Sequence, residues 1–266
     1  FEFSYQMEAN ELLQNYADGL RDFSEAELAS LSLLGEKLCH INLEAAILTD
    51  VNLVNADLFN AKLSKARFSR ANLSKADLGE ADLREANLQG ANLRDANLRG
   101  ATLTNANLSE TDLSNACLSG AKLSGVNLLG ARLTGANLKS ASLTKSKLIR
   151  TDLTNADLTG ANLYQAIVSS VKLQNAILYD AIMPSGKRFS QPNLYLIGDS
   201  DNYNNSNALQ LNTSELLQLE ASIQEAVAIL YWNIPRNENT NLLKIRTTIM
   251  QQLRKYINSK ISFWHL

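Results

Sequence analysis

The sequence predicts an all-β solenoid, and three observations carry the prediction. Every fifth residue from Phe23 to Met183 is apolar, an unbroken series of 33 positions of which 29 are Leu. Two residues before each of these the chain prefers a small side chain, Ala in 23 of the 33. Finally, a period of five fits neither regular element. On an α-helix five residues advance about 500°, which scatters the leucines around the axis. In a strand an odd spacing throws them to alternate faces. A chain that turns one corner per repeat points every Leu at a common axis. Four such corners close a square coil, with residue n stacked on n+20.

Residues 1–20 form the first segment and carry Glu2, Glu8, Glu11 and Asp18 with no Lys or Arg. The run 8–18 has no helix breaker, sets Leu12, Leu13, Tyr16 and Ala17 along it, and ends before Gly19. It predicts a capping helix. Met7 is a natural start, so residues 1–6 read as an extension ahead of it.

Residues 21–183 are the solenoid. The unit is Ala-Asn/Asp-Leu-x-x, as in Ala91-Asn92-Leu93-Arg94-Asp95 and Ala156-Asp157-Leu158-Thr159-Gly160. These units resemble the pentapeptide repeat family. The resemblance implies a right-handed quadrilateral β-helix of about eight coils, with Leu at the centre and Ala at the turns. At a strand spacing of about 4.8 Å the rod is on the order of 39 Å long. The expected core is represented by Phe23, Phe68, Leu93, Leu113, Leu133, Val168 and Met183. The helix at 8–18 and the ending Ala181-Ile182-Met183-Pro184 resemble cyanobacterial members of the family.

Residues 184–212 read as a linker. The repeat stops at Pro184-Ser185-Gly186, and an Asn-rich polar stretch follows at 199–207. Residues 213–266 predict a helical hairpin. Leu216, Leu219, Ile223, Val227 and Leu230 keep helical spacing, Pro235 interrupts, and Leu242, Ile245, Ile249, Leu253 and Tyr256 resume it. The second helix is basic, with Lys244, Arg246, Arg254, Lys255 and Lys260 and no acid after Glu238. A basic amphipathic helix of this kind can meet anionic lipid or nucleic acid.

Charge and chemistry narrow the function. Seventeen acids and 17 bases cancel within the repeats, and the whole chain carries −2. Some family members imitate duplex DNA and inhibit type II topoisomerases, which requires an acidic rod. The balance here argues against mimicry of the DNA-gyrase type, as does the acid-free stretch holding Lys122, Arg132, Lys139, Lys145, Lys147 and Arg150. No apolar run approaches the roughly 18 residues that span a bilayer, and no secretory signal opens the chain. The protein reads as soluble and cytoplasmic. Cys39 and Cys117 fall nearly four coils apart and cannot bridge. His40 beside Cys39 lacks a third partner, and the stacked pair Asp57 and Asp77 falls short of the six to eight oxygens calcium takes. No catalytic residue, metal or cofactor is assigned.

Outward apolar residues suggest binding instead. Phe59, Tyr164, Ile167, Ile177 and Tyr179, with the basic Lys244 and Lys255, make up the candidate interaction surface. The expected function is a non-enzymatic scaffold or regulator that presents a rigid face to a protein partner. A membrane-surface or nucleic-acid adaptor using the C-terminal helix is the alternative. The hairpin is expected to cover the apolar last coils.

Overall fold

The computed structural model describes residues 6–189. The helical hairpin expected at 213–266, with Lys244 and Lys255, lies outside the described residues.

A short helix, α1 (Ala9–Ala17), opens the described chain. Its C-terminus closes through two bonds: the Gly19 N–H donates to Tyr16 O at 3.1 Å and the Leu20 N–H to Asn15 O at 3.0 Å. That double closure needs a left-handed residue after the cap, and Gly19 supplies it with φ of 99°. Arg21 lies over the Tyr16 ring, 3.8 Å from its centroid, and donates to the Tyr16 and Leu20 carbonyls. The Tyr16 hydroxyl reaches Cys39 O at 2.9 Å and Leu12 is fully buried, so α1 rests on the first repeats. Gln6 adds a rung beneath them, bridging Glu27 in parallel while Met7 N–H donates to Glu27 O. The expected capping helix is therefore present, with a strand rung ahead of it that the sequence pattern did not announce.

From Asp22 onward the chain is a stack of parallel bridges between residues 20 apart: Asp22 to Asn42, Asn92 to Asp112, Asp152 to Lys172. Most sides are a single bridge between turns. Two pair more continuously, β1 (Lys147–Ile149) and β2 (Ile167–Ser169), with Lys147 opposite Ile167. Between bridges, every fifth residue from Glu25 to Asp180 has positive φ. A turn with positive φ at its third position only is type II. Glycine holds eight of these corners, and Asn, Asp, Lys, Glu and others hold the rest. A left-handed conformation costs a non-glycine residue about 1–2 kcal/mol, so something must compensate.

The compensation is a closed hydrogen-bond account, visible in one repeat. Ala91 N–H donates to Leu88 O across the turn at 3.0 Å. Asn92 N–H donates to Ala71 O at 2.9 Å in the preceding coil, while Leu93 N–H and Asp95 N–H donate to Asp112 O and Ser114 O of the following coil at 2.7 and 3.0 Å. The fifth donor, Arg94 N–H, faces no backbone carbonyl. It is taken by the Asn92 side chain, Oδ1 at 3.2 Å. This is the reason for Asn or Asp before the central Leu: only a short side chain with an acceptor reaches the amide two residues on.

The core follows from the same geometry. Phe23, Phe68, Leu93, Leu113, Leu133 and Met183 are buried, and so are Ala66, Ala91, Ala131 and Ala181, two positions before Phe68, Leu93, Leu133 and Met183. Where Ala is replaced by Thr111, Thr151 or Ser146, the buried hydroxyl donates to Leu88, Leu128 or Leu143 O. Each fully buried Leu contributes roughly 1.5–3 kcal/mol.

Val168 departs from expectation. It keeps its place in the central series but is only half-buried. Its column has no apolar successor: the residue 20 positions on is Arg188, which is drawn to Asp180 at 2.6 Å. Residues 184–189 instead double back, with Arg188 bridging Ile182 in antiparallel fashion. Phe189 is buried there, its N–H on Ala181 O at 2.6 Å. Gly186, at φ of 87°, lets this return pass the Tyr164 ring, whose carbons stand 3.2 Å from where a Cβ would be.

Candidate interaction surface

The outward residues fall into columns whose neighbours are 20 positions apart. Along one column the Asn92 amide donates to Asn72 Oδ1 at 3.1 Å, and along another Asn127 donates to Asn107 and Asn107 to Asn87. The same Oδ1 atoms accept backbone amides within their own coil, so each Asn ties two coils together. Where the ladder turns to charge, Arg132 approaches Asp112 at 3.5 Å and Lys172 approaches Asp152 at 3.4 Å. Arg94 joins Asp112 at 3.4 Å, and Lys139 pairs with Asp157 at 3.1 Å.

These carboxylates sit below the ordinary range. At Asp82 the Arg84 guanidinium is the main cause. At Asp112, Asp152 and Asp157 partial burial opposes the charged form, but hydroxyl and amide donors from Ser114, Thr154 and Thr159, together with the neighbouring cations, outweigh it. Exposed pairs of this kind contribute about 0–1 kcal/mol each.

The Cys39 and His40 neighbourhood has the chemistry of a frame, not of a nucleophile. Cys39 Sγ donates to Asp57 Oδ2 at 3.0 Å. That bond, with burial and the Asp57 charge, pushes the thiol up and keeps it protonated, the unreactive form. His40 Nδ1 contacts Asn60 Nδ2 at 3.1 Å, and its ring meets Phe59 edge-on at 6.2 Å. Asp57 and Asp77 do stack, but each spends an oxygen on the amide two residues on, from Phe59 and Gly79. Among the described residues no three His, Cys, Asp or Glu side chains group as a metal site, and both cysteines are free. No described helix is long and apolar enough to cross a membrane.

The apolar candidates do reach the surface. Phe59 is 42% exposed, Tyr164 45%, Ile177 47%, Ile167 54% and Tyr179 58%. They do not form one patch. Ile177 and Tyr179 flank Leu178 on one side, Tyr164 follows Leu163 on another, and Ile167 begins β2 on the next. Phe59 is remote, near His40.

A profile of the pentapeptide repeats matches the chain eight times, in overlapping spans from residues 22–64 to 146–183. The chain belongs to the pentapeptide repeat family. Members of this family are for the most part non-catalytic. Among solved structures, HetL, a pentapeptide repeat protein involved in heterocyst differentiation regulation from the cyanobacterium Nostoc sp. strain PCC 7120, is 33% identical. The match covers 69% of this chain and 100% of HetL, with a TM-score of 0.36. A pentapeptide repeat protein of the Arabidopsis thaliana thylakoid lumen is 38% identical over 37% of this chain and 65% of its own, with a TM-score of 0.30. Rfr23, from the cyanobacterium Cyanothece 51142, is 24% identical over 64% of this chain and 98% of its own, with a TM-score of 0.25. No curated protein matches the chain.

Proposed function

We propose that this pentapeptide repeat protein is a non-enzymatic scaffold or regulator of the cyanobacterial type, cytoplasmic, which presents the sides of a rigid, right-handed, four-sided solenoid of about eight coils to a protein partner. One observation carries the reading. The backbone amides of the repeat Ala91–Asp95 are all taken within the coil stack, so the frame is fixed without help from the outermost side chains. Those side chains are free to vary in chemistry while keeping fixed positions, which suits recognition. Exposed Phe59, Tyr164, Ile167, Ile177 and Tyr179 supply the large apolar contacts that binding favours.

The test is capture by the immobilised full chain from an extract of its own cells, followed by binding of the purified captured protein. A protein retained by the folded chain and not by Leu93→Asp, which should unfold it, supports the reading. Retention of nothing above that control overturns it.

A further inference from the structure

Residues 113–151 contain no Asp or Glu and six cations, and the structure sorts those six into two groups. Arg132 and Lys139 are in ion pairs with Asp112 and Asp157. Lys122, Lys145, Lys147 and Arg150 are all exposed, and among the described residues none of the four has an ion-pair partner.

The four cations are gathered on β1 and the side before it. Lys145 and Arg150 occupy the corners at the two ends of β1, with φ of 57° and 55°, and Lys147 begins the strand. Lys122 bridges Ser142 on the preceding side, one coil earlier. Between Lys147 and Arg150 stands Ile149, and Leu129 lies 20 positions earlier in the same column, both half-buried. One coil farther, Ile167 pairs with Lys147 and is 54% exposed. The platform therefore reads cation, apolar, cation across its width. It is also where the solenoid is most sheet-like, since β1 and β2 pair through three consecutive residues.

Among the described residues no acid pairs with it. Glu110 shares the column of Arg150 two coils away, about 10 Å at strand spacing; its Cγ lies 3.7 Å from where a Gly130 Cβ would be, and it forms no ion pair with Arg150. Asp152, next along the chain, accepts from the Thr154 amide and from Lys172.

We propose that this platform docks an acidic protein segment whose carboxylates flank an apolar residue, that residue seating on Ile149 and Leu129. The proposal rests on the scaffold reading and names its surface and partner chemistry. A segment of that pattern meets both cations and the apolar stack at once. Duplex nucleic acid would use the cations and leave the apolar stack against phosphate. A bilayer needs several projecting apolar side chains, whereas Ile149 and Leu129 are half-buried and on this platform Ile167 alone is exposed. Complementary charge would speed encounter and make binding fall with salt.

The experiment measures anisotropy of a labelled peptide of alternating Glu and Leu on the full chain. Parallel arms use its Gln-for-Glu analogue, labelled duplex DNA and phosphatidylserine vesicles. The expected result is binding of the acidic peptide that weakens about tenfold or more in Lys147→Glu/Arg150→Glu, and stays unchanged in Arg132→Glu/Lys139→Glu. If charge reversal disturbs the β signal in circular dichroism, Lys147→Gln/Arg150→Gln serves in its place. No peptide binding, equal binding by the platform variant, or tighter binding of DNA or vesicles overturns the proposal. The captured partner of the preceding section separates the two ideas: retention undiminished in the platform variant sinks the platform and leaves the scaffold standing, while no retention by the unaltered chain sinks the scaffold.

Discussion

The Asn97 amide donates to Asp77 Oδ1 at 2.8 Å, and that same oxygen accepts the Gly79 N–H at 2.9 Å. One carboxylate oxygen thus holds its own turn and the coil that follows. Asp77→Ala should leave the Gly79 amide and the Asn97 side chain without their acceptor, at a cost of about 1–3 kcal/mol. Asp77→Asn, which keeps Oδ1, should recover most of it. Denaturant unfolding of the two variants checks this; equal losses would mean that charge, and not the shared acceptor, matters.

Inward and outward positions should differ sharply. Leu93 is fully buried, and Leu93→Ala should cost about 2–5 kcal/mol. Arg94, its outward neighbour, meets Asp112 at 3.4 Å on the surface, and Arg94→Ala should cost less than about 1 kcal/mol. Thermal melts followed by circular dichroism decide between them.

Acid should destabilise the rod in a defined window. Asp82, Asp112, Asp152 and Asp157 all sit below the ordinary 3.8. A carboxylate depressed in the folded state adds stability above its unfolded value and loses it as pH falls through the folded value. Melting temperature should hold down to about pH 4 and then drop, and the drop should shrink when these four residues are replaced by Asn. A profile unchanged by those replacements would detach the acid response from these groups.

Phe189 should define the C-terminal end of the folded repeat. It is buried, and its carbonyl accepts the Asp180 N–H at 3.2 Å. Phe189→Ala should raise amide hydrogen exchange in 173–183 and leave the exchange around Leu93 unchanged, because coils touch only their neighbours. A chain ended at Ser185 should show the same local loss with a stronger tendency to associate, because the edge that Arg188 and Phe189 pair with, at Ile182 and Ala181, is laid open beside the already exposed Ile177 and Tyr179.

Much of this was legible because one short period does several jobs. The Leu series placed Leu93 and Phe68 inside, and the spacing of 20 placed Arg132 on Asp112 and Lys172 on Asp152. What stayed hidden depends on neighbours that a period does not specify. Val168 satisfies the pattern and is half-buried because Arg188 cannot continue its column. Gln6 lies outside the repeat, yet adds a rung. The role of Asn92 as an acceptor for Arg94 N–H was readable in principle, since Asn or Asp recurs one residue before the centre, but it requires knowing that the corner is a type II turn. The glycines at corners such as Gly90 and Gly100 were the available hint. The basic stretch at 122–150 was visible as composition; only the fold separates Lys147 and Arg150 from the already paired Arg132 and Lys139.

The pairing of residue n with n+20 also sets the grain in which such a protein can change length. Excising 76–95 would join Lys75 to Ala96 and bring Asp112 beside Asn72, with every column still facing the same way. Excising only 76–80 would spare each Leu its place at the centre but turn all later residues by one side, so that Asn92 would meet Arg67 instead of Asn72 and every column would break at the join, while pairs beyond it, such as Asp112 and Arg132, stayed stacked. Insertions and deletions of a whole circuit are therefore nearly silent to the surface, while those of a single repeat turn everything beyond the join by one side. A lineage can lengthen the rod by twenties while preserving what it displays, or alter the display by fives without disturbing what lies inside.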